Sequence, residues 1–174
     1  EIACVLFEQK QYKSSLTYYQ EAMRIMNYLG KPDLAAKLQL QVSICFVRLA
    51  KHEDAMRSLK DLKTYYADSF GHDCIDDRQS EMTKISFYLG QSWEGLLKNE
   101  EAREAYLEAI GSYSHVLAPS ISDKEIFASS QFQLGRLMMK DKNEINRALE
   151  FLKGSFHIRK EILDGQSEDM AEAL

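Results

Sequence analysis

Chain breakers are scarce in this sequence. Only Pro32 and Pro119 interrupt its 174 residues, and glycine occurs eight times. So few turn-formers exclude an all-β fold of many short strands and favour long helices. Long uncharged apolar runs are missing as well, so no stretch offers the roughly 20 apolar residues of a membrane-spanning helix. Cysteine is limited to Cys4, Cys45 and Cys74, an odd number without metal-like spacing. That usage suits a reducing compartment, cytoplasmic or nuclear. Basic residues are outnumbered, 22 Lys and Arg against 27 Asp and Glu, for a net charge of −5. A broad phosphate-binding face is thereby disfavoured, and with it nucleic acid or an acidic membrane as partner.

The chemistry of catalysis is absent too. His52, His72, His115 and His157 fall in separate stretches, none paired by local spacing. The segment "GHDCIDD" gathers His72, Asp73, Cys74, Asp76 and Asp77 but lacks the alternation of a calcium loop and any paired His/Cys motif. It reads as a connection whose acids favour the positive start of the next helix. No glycine-rich phosphate loop or nucleophile motif occurs. The expectation is a protein that is not an enzyme, with no catalytic residue, metal or cofactor.

What the chain does contain is an internal repeat. In "FYLGQSWEGLLKNEEAREAYLEAI" a small residue, Gly90, precedes a bulky one, Trp93; after a short polar gap come Ala102, Tyr106 and Ala109. The same order of sizes recurs. Ala3 and Leu6 lead to Ser15, Tyr19 and Ala22; Ser43 and Phe46 lead to Ala55 and Leu59; Gly135 and Met138 lead to Ala148, Leu152 and Ser155. The two small residues stand 12 apart in the first three copies and 13 in the last. Successive copies are offset by 40, 47 and 45 residues.

Apolar residues three and four apart on each side of the gap make each copy a pair of helices. Polar gaps this short make the pair antiparallel. The small residue on each helix allows close approach, and the bulky one beside it fills the remaining space. Structural roles are therefore assigned to Ala3, Ser43, Gly90, Trp93, Ala102, Tyr106, Gly135 and Ala148. Helices are expected over about 1–9, 12–29, 34–50, 52–69, 78–97, 99–117, 122–140, 144–163 and 168–174. Gly30 with Pro32 reads as a helix stop. Ser122 with Glu125 reads as a capping box after Pro119, and Gly165 as a further stop before a restart near Ser167.

With Leu89-Gly90-x2-Trp93 followed by Ala102-x3-Tyr106, the sequence resembles the tetratricopeptide-repeat superfamily over essentially its whole length. It departs from the family pattern at Ser86, where an aromatic is usual. Its spacing exceeds the family's usual period of about 34. That is similar to the long-helix branch, which includes kinesin light chains and the spindle-orientation adaptors built of Leu-Gly-Asn repeats. The resemblance implies an all-α, right-handed superhelical solenoid of antiparallel helix pairs with about four repeats. A single domain of residues 1–174 divides into units of about 1–30, 33–70, 78–118 and 121–164, with a fifth beginning over 167–174. The short first and last helices make the chain read as a fragment of a longer protein.

The resemblance also implies a function: a non-enzymatic scaffold or adaptor holding a peptide in the groove lined by the first helix of each pair. The alternative is a regulatory repeat region of a larger enzyme or signalling protein, binding its own chain or a regulatory peptide. Mapped onto this sequence, the groove positions begin with Cys4, Phe7 and Glu8. They continue through Lys37, Leu40, Ile44, Val47, Arg48, Lys84, Phe87, Gln91, Glu94, Ser129, Phe132, Arg136, Met139 and Lys140. An apolar row with a basic fringe fits a protein or peptide partner with apolar anchors and acidic flanks. A chaperone's acidic C-terminal tail is not expected, because Cys4, Ile44 and Tyr88 replace the polar residues that grip it and only Lys84 remains.

Overall fold

The computed structural model describes residues 1–68 and 75–172, with the side chains of 75–77 and 167–172 left out of the description. Among the described residues there is no strand. The order is α1 (Ile2–Glu8), α2 (Tyr12–Tyr28), α3 (Pro32–Arg48), α4 (His52–Asp68), α5 (Ile75–Gly95), α6 (Asn99–Tyr113), α7 (Ile121–Met138), a short 3-10 turn (Lys142–Glu144) and α8 (Ile145–Glu172). The architecture is all-α and built of helical repeats, as the periodicity implies.

The repeat is visible in the backbone. A shift of 40 residues carries α2 (12–28) onto α4 (52–68) end to end. Three helices of 17 residues alternate with three-residue turns. The turns share one geometry. After α3, the Ala50 N–H bonds Val47 O at 3.1 Å and the Lys51 N–H bonds Phe46 O at 2.9 Å. This pair of bonds satisfies carbonyls that the helix end leaves open, and it needs a left-handed residue between them. The same pair of bonds recurs around Lys10, Gly30 and Leu97, with φ of 60°, 65° and 61°; Ala50 has 57°. Gly30 was legible as a left-handed stop. Lys10, Ala50 and Leu97 were not, because only the tertiary arrangement holds such residues in that conformation.

The fourth hairpin turns differently. Its one extra residue is absorbed by the 3-10 turn, where Asp141 Oδ1 accepts from the Asn143 N–H at 2.9 Å.

Two expected boundaries are corrected. The capping box lies at Ser120 and Asp123, two residues before the expected Ser122 and Glu125. Ser120 Oγ accepts from the Asp123 N–H at 3.2 Å, and Asp123 Oδ2 accepts from the Ser120 N–H at 3.0 Å. Gly165 does not stop a helix, since α8 continues through it to Glu172. A glycine inside a helix costs only about 1 kcal/mol. No proline follows to block the next turn, so the ladder runs on.

The chain divides into two compact units, Glu1–Phe70 with Gln91–Lys98, and Gly71–Gly90 with Asn99–Leu174. In the first, α1 to α4 pack in sequence. Its core includes Ala3, Tyr19, Val42 and Cys45, with Phe7, Leu16, Leu38 and Phe46 packed against it. A hydrogen-bond chain threads three helices: Cys45 Sγ donates to Ser15 Oγ at 3.8 Å, and Ser15 Oγ donates to Ala3 O at 2.8 Å. Burial pushes the Cys45 thiol pKa up, against the opposing pull of Ser15. In the second unit, α6 packs on α7 and α7 on α8. Tyr113 and Phe127 stack there with ring centroids 4.1 Å apart, and Arg103 pairs with Glu144 at 2.5 Å.

The small residues act in two ways. A Cβ on Gly135 would lie 2.9 Å from the Ala148 carbonyl oxygen, so this glycine allows the backbones of α7 and α8 to approach. A Cβ on Gly90 would instead fall 2.5–2.8 Å from three atoms of the Tyr106 ring. There the missing side chain makes room for an aromatic ring. Ala3, Ser43, Ala102, Tyr106 and Ala148 are buried as well. Trp93 is only half-buried; Lys60 and Lys98 lie 5.0 and 5.1 Å from its ring centroid.

Candidate binding cleft

The first unit contains an open cleft of about 650 Å³. From α1 it takes Cys4, Phe7 and Glu8; from α2, Tyr19, Ala22 and Met26; from α3, Leu34, Lys37, Leu38 and Gln41. The lining is largely apolar, with one acid and one base. The helix period explains the grouping: positions 19, 22 and 26 lie on one side of α2, and 34, 38 and 41 on one side of α3.

One polar contact marks the wall. The Tyr19 hydroxyl donates to Cys4 Sγ at 3.4 Å. Burial first, then this bond to Cys4, pushes the Tyr19 phenol pKa well up. Tyr19 thus stays a neutral donor at all ordinary pH, and Cys4 is an exposed free thiol.

The groove positions expected from sequence separate into distinct environments. In the first unit, Lys37 joins Cys4, Phe7 and Glu8 in the cleft. Leu40 and Ile44 are 1% and 6% exposed and serve as core, with no surface to offer a ligand. Val47, Gln91 and Glu94 are half-buried and Arg48 is exposed; Gln91 Oε1 is buried without a hydrogen-bond partner.

In the second unit, Phe87 is 4% exposed. Its ring meets Tyr88 and Tyr106 at centroid distances of 5.1 and 6.0 Å, so it too is core. Phe132, Arg136, Met139 and Lys140 are exposed, with Arg159 5.3 Å from the Phe132 centroid. Arg136 Nε donates to Gln133 Oε1 at 2.9 Å.

Lys84 has protein partners of its own. Its Nζ lies 3.2 Å from Glu81 Oε1 and 3.7 Å from Asp123 Oδ1. Asp123 is a buried hub, accepting from Ser80 Oγ at 2.5 Å and Ser120 Oγ at 2.6 Å. Burial alone raises its pKa. The bonds from Ser120 and Ser80 and the Lys84 charge outweigh that effect and hold the carboxyl below its ordinary value. Lys84 therefore neutralises an internal carboxylate.

Sequence reasoning missed Tyr19, Ala22, Met26, Leu34, Leu38 and Gln41 as cleft residues. Assigning the groove to the first helix of each pair hid the contribution of α2. The apolar stripe at 19, 22 and 26 was the available signal. The Asp123 hub had no local signal beyond the cap, because Ser80 and Lys84 lie about 40 residues away.

Among the described residues no group of three or more His, Cys, Asp or Glu is placed to hold a metal ion. His72, Asp73 and Cys74 of the acidic connection, and the side chains of Asp76 and Asp77, lie outside the described residues. No described helix is long and apolar enough to cross a membrane.

The fold and cleft place the chain in the class of all-α helical-repeat proteins. The family model described as tetratricopeptide repeat matches residues 1–27. The matched segment spans α1 and nearly all of α2, the hairpin that supplies two walls of the cleft. It supports the tetratricopeptide-repeat superfamily, whose repeats are typically non-catalytic interaction modules. No curated protein matches the chain.

Proposed function

We propose that the chain is a non-enzymatic interaction scaffold that holds a peptide segment of a protein partner, with the cleft of α1, α2 and α3 as its principal seat. The observation that carries this reading is the cleft itself: about 650 Å³, lined mainly by apolar side chains, with Lys37 among them. Phe7, Met26 and Leu34 offer contacts to apolar anchors. Lys37 favours an acidic flank beside them. A few buried apolar anchors dominate the affinity of such an interface, whereas a charge at the rim acts mainly on approach rate and orientation.

The test uses a short peptide selected on this chain by phage display, with affinity read by fluorescence anisotropy. Phe7→Ala and Leu34→Glu each weaken binding by about 1–3 kcal/mol. Lys37→Glu slows association at low salt and has little effect at high salt. If folded Phe7→Ala and Leu34→Glu proteins both bind the peptide as the parent does, the cleft is not the seat.

A further inference from the structure

One turn carries a residue that its own conformation argues against. Among the described residues, four have the left-handed backbone at a turn: Lys10, Gly30, Ala50 and Leu97. Glycine adopts that conformation freely, and a Cβ makes it unfavourable. Lys10 and Ala50 expose only a polar or a small side chain there. Leu97 exposes a large apolar one, 86% open to solvent. A leucine at 97 is therefore disfavoured twice, by its backbone and by its solvation. Hairpins precede and follow this turn in the chain, so neither end of the sequence accounts for the exposure.

The turn is firmly held. The Leu97 N–H bonds Glu94 O and the Lys98 N–H bonds Trp93 O, both at 2.9 Å. A Cβ on Gly95 would run into the His52 ring, so the start of α4 packs on the same end of α5. These residues and Lys60 all belong to the first unit. The half-buried Trp93 ring has both Lys60 and Lys98 over it. Both lysines are exposed, and among the described residues neither is ion-paired with an acid. Arg57, one turn before Lys60 on α4, is exposed and unpaired as well. Of the acids nearby in sequence, Glu100 lies 3.7 Å from Arg103. No ion pair joins Asp61, Glu94 or Glu101 to either lysine. The ring attracts each ammonium weakly, while the two like charges repel one another.

We propose that Leu97, the Trp93 ring, Lys60 and Lys98 form a second docking surface, for an acidic segment of a partner protein in which carboxylates flank an apolar side chain. The apolar side chain covers Leu97 and the open part of Trp93. The carboxylates answer two ammoniums that the chain itself leaves unpaired. Because the turn is already fixed by its backbone bonds, little ordering opposes the contact. The surface lies on α4 and the end of α5, separate from the cleft of α1, α2 and α3.

The probe is a random peptide display library, panned on the 174-residue chain and depleted against Leu97→Gly. Enriched peptides carry Asp or Glu beside an apolar residue. Leu97→Gly separates a binding role from a structural one, because glycine removes the apolar side chain and the backbone strain together. Its melting temperature, followed by circular dichroism, is at or above the parent's. Its affinity for an enriched peptide, read by fluorescence anisotropy, falls about tenfold or more. Lys60→Glu with Lys98→Glu weakens the same peptide at low salt and much less at high salt. Phe7→Ala leaves its binding unchanged, which distinguishes this surface from the cleft. A library that yields no peptide preferring the parent over folded Leu97→Gly overturns the proposal, as do enriched peptides without acids. A folded Lys60→Glu, Lys98→Glu protein that binds like the parent at low salt overturns it too. So does a Leu97→Gly protein that melts below the parent, since the leucine is then a structural part of the turn.

Discussion

Replacing Gly90 by alanine opposes two effects of known size. Gly90 lies inside α5. Adding a methyl there gains about 1 kcal/mol of helix propensity, as it would at any helical glycine. The same methyl falls 2.5 Å from Tyr106 Cε1 and 2.7 Å from Cδ1. Tyr106 is fully buried, so its ring must shift within the core, and overpacking of this kind costs about 1–3 kcal/mol. Gly165, inside α8, has nothing within 4 Å of an added Cβ. Gly165→Ala therefore carries the propensity gain alone. The difference between the two variants cancels propensity and isolates the packing cost. At about 2–4 °C per kcal/mol for a chain of this size, Gly90→Ala melts roughly 2–12 °C below Gly165→Ala. The assay is thermal unfolding followed by circular dichroism at the helical minima. In a Tyr106→Leu background the ring is gone, and the difference between the alanine variants shrinks. Equal melting temperatures for the two alanine variants would refute the size-complementary joint. A difference that persists in full without the ring would locate the strain elsewhere.

Three further outcomes follow from the same packing. Ala50→Gly and Leu97→Gly raise stability by up to about 1 kcal/mol in urea unfolding, because a left-handed conformation costs an L-residue about 1–2 kcal/mol while glycine's extra chain entropy returns part of it; Gly30→Ala lowers stability by a similar amount, and the opposite signs would contradict the shared turn geometry. Asp123→Ala costs about 1–3 kcal/mol at neutral pH, because Ser80 and Lys84 lose a buried partner. The folded-state pKa of Asp123 is lowered, so its contribution is complete above the unfolded value of about 3.9 and is lost as pH falls through the folded value. Unfolding measured from neutral pH down into that acid range shows a steeper loss for the parent than for Asp123→Ala, and parallel profiles would remove the hub from the account. Arg103→Ala loosens the fourth hairpin turn by freeing Glu144 and shows as faster amide exchange over residues 141–145; unchanged exchange would assign that turn's order to Asp141 alone.

Periodicity and residue size determined the helical class, the pairing of helices and the small positions, because these depend on contacts within one hairpin. Ala3, Ser43, Gly90 and Gly135 are legible as small residues facing a partner helix from the order of sizes alone. Gly30 and Pro32 marked a turn because backbone freedom and its loss are properties of the residue itself. Gly165 carried the same local signal and was overridden, since nothing after it prevented the ladder from continuing. The left-handed Lys10, Ala50 and Leu97 carried no signal at all; the hairpin geometry holds them there against their own preference. Side-chain environment was the larger part left to tertiary structure. Leu40, Ile44 and Phe87 share the apolar character of ligand-contacting residues, and only neighbouring helices reveal that they are core. Lys84 reads as a groove cation until Asp123, 39 residues later, is seen to take its charge. Which helix or carboxylate lies against a side chain is a fact that no residue's own chemistry contains.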